Sequence, residues 1–146
     1  IESAIWAPSS CNRQPIKFLV LERKKDIEFI ASKTNGGIGF AEKAPLAILV
    51  LVDARVYTLP IERHTPYLDG AAAIENMLLK ASAIGLGSCW LNWCVRHFFE
   101  IETKNKFKIP EYLLPISLIV FGWPAIKVRI PLRKKITEFI KWNKFK

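Results

Sequence analysis

The residues best suited to chemistry lie close together near the amino end, in Ala7-Pro8-Ser9-Ser10-Cys11-Asn12-Arg13-Gln14-Pro15. Two hydroxyls, two carboxamides and a guanidinium stand between prolines that restrict the backbone. Asn12 and Gln14 each set a donor beside an acceptor, a pattern that can read the edge of a heterocycle bearing an imide or amide. The same composition also suits a plain polar connection from a helix to a strand, in which Ser and Asn satisfy free backbone groups. The residues alone leave both readings open.

Other routes to chemistry are missing from the sequence. No Gly-x-Gly-x-x-Gly follows a strand-like run, and there is no Gly-Lys-Ser/Thr phosphate loop, Gly-x-Ser-x-Gly or His-Glu-x-x-His. His64 and His97 have no Asp, Glu or Cys at ligand spacing and read as surface or loop residues. The carboxylates are too scattered to nominate an acid–base pair, so no catalytic side chain is assigned. Cys11, Cys89 and Cys94 form neither an even framework nor a zinc knuckle, which predicts a reducing cytoplasm and no metal. Cys89 and Cys94, five apart on one expected strand, point to opposite faces and are poorly placed for a disulfide.

The elements that must position these residues follow from hydrophobic patterning. Residues 1–7 read as the last turns of a helix, so the chain is expected to begin inside a domain, and no secretory signal is visible. A strand is predicted over 17–21 and a helix over 26–33, stopped by Asn35-Gly36-Gly37. Leu46 to Val52 is continuously apolar, as in a central strand covered on both faces. A loop over 53–68 leads to Asp69 as N-cap of a helix over 70–84, whose buried stripe is Ala71, Ile74, Met77, Leu78, Ala81 and Ile84, with Gly85 ending it. Further strands are expected over 88–94 and 116–121, with a helix over 98–107 between them. Lys104, Lys106 and Lys108 read as a solvated face, and Trp90, Trp93 and Trp123 as core or interface aromatics. After Lys127 the tail is basic, with one short amphipathic segment at Ile136, Phe139 and Ile140.

These 146 residues suit one domain spanning 1–146, and the alternation of strands and helices predicts an α/β or α+β layer structure. The long helix between the Leu46 and Ser88 strands permits a parallel crossover. No apolar stretch reaches the ~18–20 residues of a membrane-spanning helix. The formal net charge is +9 and is uneven: residues 1–100 carry 11 basic and 10 acidic groups, whereas 101–146 carry 11 and 3. Such a tail suits a phosphate-bearing partner, whether nucleic acid, anionic lipid or a nucleotide cofactor, and Lys and Arg enrichment also occurs in proteins from hot environments, so charge alone does not choose.

The segment "APSSCNRQP" followed by a strand resembles the Pro-Ser-Ser-x-Asn-x-Gln-Pro motif of the FMN-dependent nitroreductase superfamily. Three more blocks agree in order and spacing: "KAPLAILVLVD", "DGAAAIENMLLKASAIGLGSCWL" and "IPEYLLPISLIVFGWPA" with its basic tail. The resemblance implies a three-layer α+β fold with a central mixed sheet flanked by helices, an intertwined homodimer, and FMN in a cleft between subunits. It places Pro8, Ser9, Ser10, Asn12 and Gln14 against the flavin and the backbone of Trp90, Leu91 and Asn92 near its N5. Arg129 and Arg133 match the positions that grip the phosphate. The family's Arg-rich stretch, ~30 residues ahead of the loop, is expected to precede Ile1. Ile16 stands where the family usually has Trp, and Asn92 where Gly is frequent.

The implied activity is oxidoreduction of ping-pong type: hydride passes from NAD(P)H to the flavin, and electrons then pass to a nitroaromatic, a quinone or a similar small oxidant. Two alternatives stand beside it. One is a basic nucleic-acid-binding module using the tail, with affinity that falls steeply as salt rises. The other is an FMN-binding relative with a specialised reaction or no turnover.

Overall fold

The computed structural model describes residues 1–93, 97–126 and 129–145. Cys94 and Lys127 lie outside these residues, as does the side chain of His97. Among the described residues four α-helices and four strands alternate: α1 (Glu2–Ile5), β1 (Ile16–Leu21), α2 (Lys24–Ala31), β2 (Leu46–Asp53), α3 (Thr65–Ala83), β3 (Gly87–Asn92), α4 (His97–Phe107) and β4 (Leu113–Gly122).

The uninterrupted apolar run of β2 is explained by two cores, one on each face of the sheet. Ala47, Leu49 and Leu51 join Ile27, Ile30 and Leu118 in a cluster that includes α2, with Phe107 at the end of α4 packed against it. Ile48 and Val50 point the other way, to Ala4, Ala73, Ile74, Met77 and Ile119 beneath α1 and α3. Three layers result, and each fully buried aliphatic side chain contributes roughly 1.5–3 kcal/mol of burial free energy.

The sheet runs in the order β1-β2-β4-β3, and every pairing among the described residues is antiparallel. The expected mixed sheet is therefore corrected on this point. β2 and β3 do run in the same direction across the α3 crossover, but β4 inserts between them in the opposite sense and takes the hydrogen bonds of both. Pro115 has no N–H for a central ladder, and the β2–β4 register shifts there: Val50 faces Ser117 and Leu51 faces Pro115. Ile116 is the extra residue of a bulge.

Helix α3 starts earlier than its sequence predicts. Pro66 sits in its first turn, where a missing N–H costs nothing, so Asp69 is not the N-cap but a buried residue of the second turn. At the other end, Gly85 at φ +78° allows Gly85 N–H to reach Ser82 O at 3.0 Å and Leu86 N–H to reach Ala81 O at 2.9 Å. This Schellman closure turns the chain away before Ile84 can join the stripe, and Ile84 stays exposed. Ile74, Met77 and Ala81 are buried as expected.

Lys104 is another departure. It is 6% exposed rather than solvated, because Glu100 at 2.8 Å and the carbonyl of Glu111 at 3.1 Å surround its ammonium. Lys106 pairs with buried Asp26 at 3.3 Å. Trp93 is buried, whereas Trp123 is largely exposed. In the tail, the amphipathic segment is reduced to a single 3-10 turn at Ile136–Glu138, and residues 129–145 are exposed throughout. Among the described residues, no helix is long and apolar enough to cross a membrane.

Candidate functional site

The amide-bearing loop hangs between α1 and β1, and two buried carboxylates shape it. The backbone N–H of Ser10 donates to both oxygens of Asp69, at 3.0 and 3.1 Å. The Tyr57 hydroxyl donates to Asp69 Oδ2 at 2.6 Å. One residue past Asn12, the Arg13 guanidinium forms an ion pair with Glu62, whose other oxygen accepts the N–H groups of Thr58 and Leu59, each at 3.1 Å. Asp69 and Glu62 are 7% and 9% exposed, so both carboxylates act in a poorly solvated setting where such bonds are strong.

The electrostatics agree with this arrangement. The Arg13 hydrogen bond, with help from Leu59 N–H, holds the Glu62 carboxyl below the ordinary Glu value. Burial, followed by the neighbouring Asp69 carboxylate, pushes the Tyr57 hydroxyl far above its ordinary value, so it stays a donor.

The loop needs this support because its backbone is strained. Cys11, Asn12 and Gln14 have φ of 51°, 54° and 50°, a left-handed conformation that costs roughly 1–2 kcal/mol per non-glycine residue. Within the loop, Ser9 Oγ accepts the Gln14 N–H at 2.9 Å, and the Gln14 amide donates to Asn12 Oδ1 at 3.3 Å. The Asn12 and Gln14 side chains are exposed side by side, and Pro8 is exposed beside half-buried Ser9 and Ser10. The five expected loop residues are thus gathered into one corner.

Trp90, Leu91 and Asn92 lie on β3, at the edge of the sheet opposite to β1. Leu91 is buried in the core, so only its backbone can face a ligand. Trp90 is 41% exposed, and its indole N–H donates to Ser117 Oγ at 2.6 Å. The Ser117 hydroxyl donates in turn to the Leu91 carbonyl. On the outer side of the strand, the Asn92 carbonyl accepts the Asn35 N–H at 3.3 Å. Among the described residues no hydrogen bond links the 8–14 corner to 90–92. One copy of the chain presents them as separate surfaces.

Arg129 and Arg133 are exposed, and neither forms an ion pair among the described residues. The Arg133 guanidinium has only a 3.4 Å bond to the neighbouring Leu132 carbonyl. The structure therefore leaves both guanidinium groups available without bringing them to the corner or to β3.

Four supporting residues escape sequence reasoning: Tyr57, Glu62, Asp69 and Ser117. Only Ser117 carried a signal, as a lone hydroxyl inside the apolar run from Leu113 to Phe121. The others lie 44 to 59 positions from the loop residues they serve, counting Tyr57 from Arg13 and Asp69 from Ser10.

Comparison with known proteins adds ancestry to this geometry. The model of the Nitroreductase family matches residues 27–123. Relatives from Methanothermobacter thermautotrophicus and Archaeoglobus fulgidus, whose names pair NADH dehydrogenase with NAD(P)H nitroreductase, are each 29% identical over 86% and 85% of this chain. The chain spans 63% and 70% of their respective lengths. Among solved structures, a nitroreductase-type protein from Desulfovibrio desulfuricans in complex with FMN is 28% identical, with a TM-score of 0.79 over 99% of this chain and 81% of that one. The matched residues take in α3 and the strands on either side of it, and by that match this chain belongs to the nitroreductase family.

Proposed function

We propose that this chain forms the greater part of an NAD(P)H-dependent flavin oxidoreductase that holds FMN and serves a small oxidant, such as a nitroaromatic or a quinone. The observation that carries this reading is the corner at 8–14. Strained backbone is retained at Cys11, Asn12 and Gln14 so that two amide side chains stand exposed together, held from beneath by Asp69 and Glu62.

The residues present fit the group. Asn12 and Gln14 offer donors and acceptors to the imide edge of a flavin, with Pro8, Ser9 and Ser10 forming the wall behind them. The backbone of Trp90 to Asn92 supplies a sheet edge, and Arg129 and Arg133 supply guanidinium forks for the terminal phosphate. FMN, when bound, supplies the redox chemistry, taking hydride from the nicotinamide and passing electrons on. The protein's part is binding, orientation and electrostatics. Asp69 and Glu62 are already committed to Ser10, Tyr57 and Arg13, so they serve as anchors rather than proton donors.

The reading includes one domain over 1–146, and a homodimer in which the corner of one copy meets the β3 edge of another. Two observations support it: the corner and β3 belong to opposite edges of the sheet, and the tail exposes Ile130, Leu132, Ile136, Phe139 and Trp142. Exposed apolar area of that extent is characteristic of an interface.

The test is the absorption spectrum and size of the full-length protein. It is expected to be yellow and dimeric, and to bleach anaerobically with NADH or NADPH. A colourless protein that takes up no added FMN refutes the proposal.

A further inference from the structure

We infer that Ser117 is a positioning residue that fixes the outward aim of the Asn92 N–H and the plane of the Trp90 ring. The inference rests on the reading of 90–92 as a flavin-facing edge. It starts from a peptide group, which is planar and trans, so its C=O and N–H point in opposite directions. The Leu91 carbonyl is engaged by the Ser117 hydroxyl from β4. The N–H on the far end of that peptide belongs to Asn92, and it therefore points away from β4, toward the outer side of β3, where Thr34 bridges the next residue, Trp93.

A second observation agrees. In an extended strand a residue's own N–H and C=O lie on the same side, and the Asn92 carbonyl faces outward to the Asn35 N–H at 3.3 Å. Among the described residues the Asn92 N–H has no acceptor of its own. β3 is the last strand of the sheet, and on its outer side the described residues offer only the Thr34–Trp93 bridge and the Asn35 bond, so the Leu91–Asn92 peptide is held chiefly from β4. Ser117, 1% exposed, adds a side-chain bond to the ladder that pairs Leu91 with Leu118 on that side.

The same hydroxyl completes a relay. It accepts the Trp90 indole N–H at 2.6 Å while donating its proton to the Leu91 carbonyl, so both of its roles are in use and its rotor is fixed. Trp90 and Asn92 face Ile119 and Ser117 in the register, which puts both side chains on the α3 side of β3. A single buried oxygen thus sets an aromatic plane and an amide vector on one strip of surface. A backbone N–H facing N5 would meet an acceptor lone pair in the oxidised flavin and an N–H in the reduced one, so its aim bears on the relative affinity for the two oxidation states.

The experiment compares full-length wild type with Ser117→Ala and Ser117→Thr, the latter restoring the hydroxyl. The Trp90 indole proton and the Asn92 amide are followed by NMR, and FMN binding is measured in both oxidation states. In Ser117→Ala, exchange of the Trp90 indole proton is expected to quicken about tenfold. The preference for oxidised over reduced FMN is expected to fall about two- to tenfold, the worth of one hydrogen bond. Ser117→Thr should return both toward wild type.

Unchanged indole exchange and unchanged FMN preference in a folded Ser117→Ala protein overturn the inference. Should that variant fail to fold, Trp90→Phe removes the indole end of the relay, and an Asn92 amide signal identical to wild type then overturns it instead. A wild-type protein that binds no FMN refutes the flavin reading separately. The indole and amide signals of that cofactor-free protein still decide whether Ser117 holds the edge.

Discussion

Replacing Asp69 with Ala isolates the anchor beneath the amide corner. The carboxylate is 7% exposed and receives the Ser10 N–H at 3.0 and 3.1 Å and the Tyr57 hydroxyl at 2.6 Å. Hydrogen bonds to a charged group contribute about 1.5–3 kcal/mol each, so two stripped donors amount to about 3–6 kcal/mol. Two effects reduce that figure. Ser10 is only half-buried, so water can reach its N–H, and Ala is a better helix former than Asp by about 0.5 kcal/mol.

The expected net loss is about 2–4 kcal/mol, or about 5–15 °C in Tm for a chain of this size. Urea unfolding with linear extrapolation measures it. Glu75→Ala, an exposed acid on the same helix, is the control, and Tyr57→Phe should fall between the two at about 1 kcal/mol. An Asp69→Ala protein within about 0.5 kcal/mol of the control would refute the reasoning, since surface changes alone stay inside that range.

Glu62 has a folded-state pKa below its ordinary value, so its ion pair with Arg13 stabilises above the unfolded value of ~4.3 and is lost as the pH falls through the lower folded value. Thermal melts between about pH 5 and pH 3 should therefore drop more steeply for wild type than for Glu62→Gln. A Cβ on Gly70 would stand 2.9 Å from Ile116 Cγ2 and 3.0 Å from Cγ1. Gly70→Ala is expected to cost about 1–2 kcal/mol by denaturation despite its gain in helix propensity, and the effect should shrink in the Ile116→Ala background. Arg133→Ala is expected to weaken FMN binding about tenfold or more while leaving riboflavin unchanged, since only FMN carries the phosphate. Parallel titrations with the two ligands check this.

What the sequence disclosed and what it withheld divide along a physical line. Elements whose identity depends on local patterning were legible. The apolar run of β2, the helical stripe of Ile74, Met77 and Ala81, and the turn at Gly85 each carry their cause within a few residues. The loop at 8–14 stands out as a candidate because its side chains are unusual in themselves. Its support does not, because Asp69 reads equally well as a helix cap, and only the packing of α3 reveals that Pro66 begins the helix and turns Asp69 inward. The strand order was equally hidden. Nothing local announces that β4 enters between β2 and β3, or that Lys104 would be enclosed by Glu100 and Glu111. The positive φ angles at Cys11, Asn12 and Gln14 belong to the same class, since neither Cys nor Gln advertises that backbone.

The anchoring of the amide corner also bears on how the molecule is built as it emerges from the ribosome. Ser10 must wait for Asp69, 59 residues later, and Arg13 for Glu62, 49 residues later. Until the first turns of α3 have been synthesised, the opening stretch has no counterpart to hold its unfavourable torsions. A nascent chain halted before that point is therefore a chain without its amide corner, however complete β1 and α2 already are.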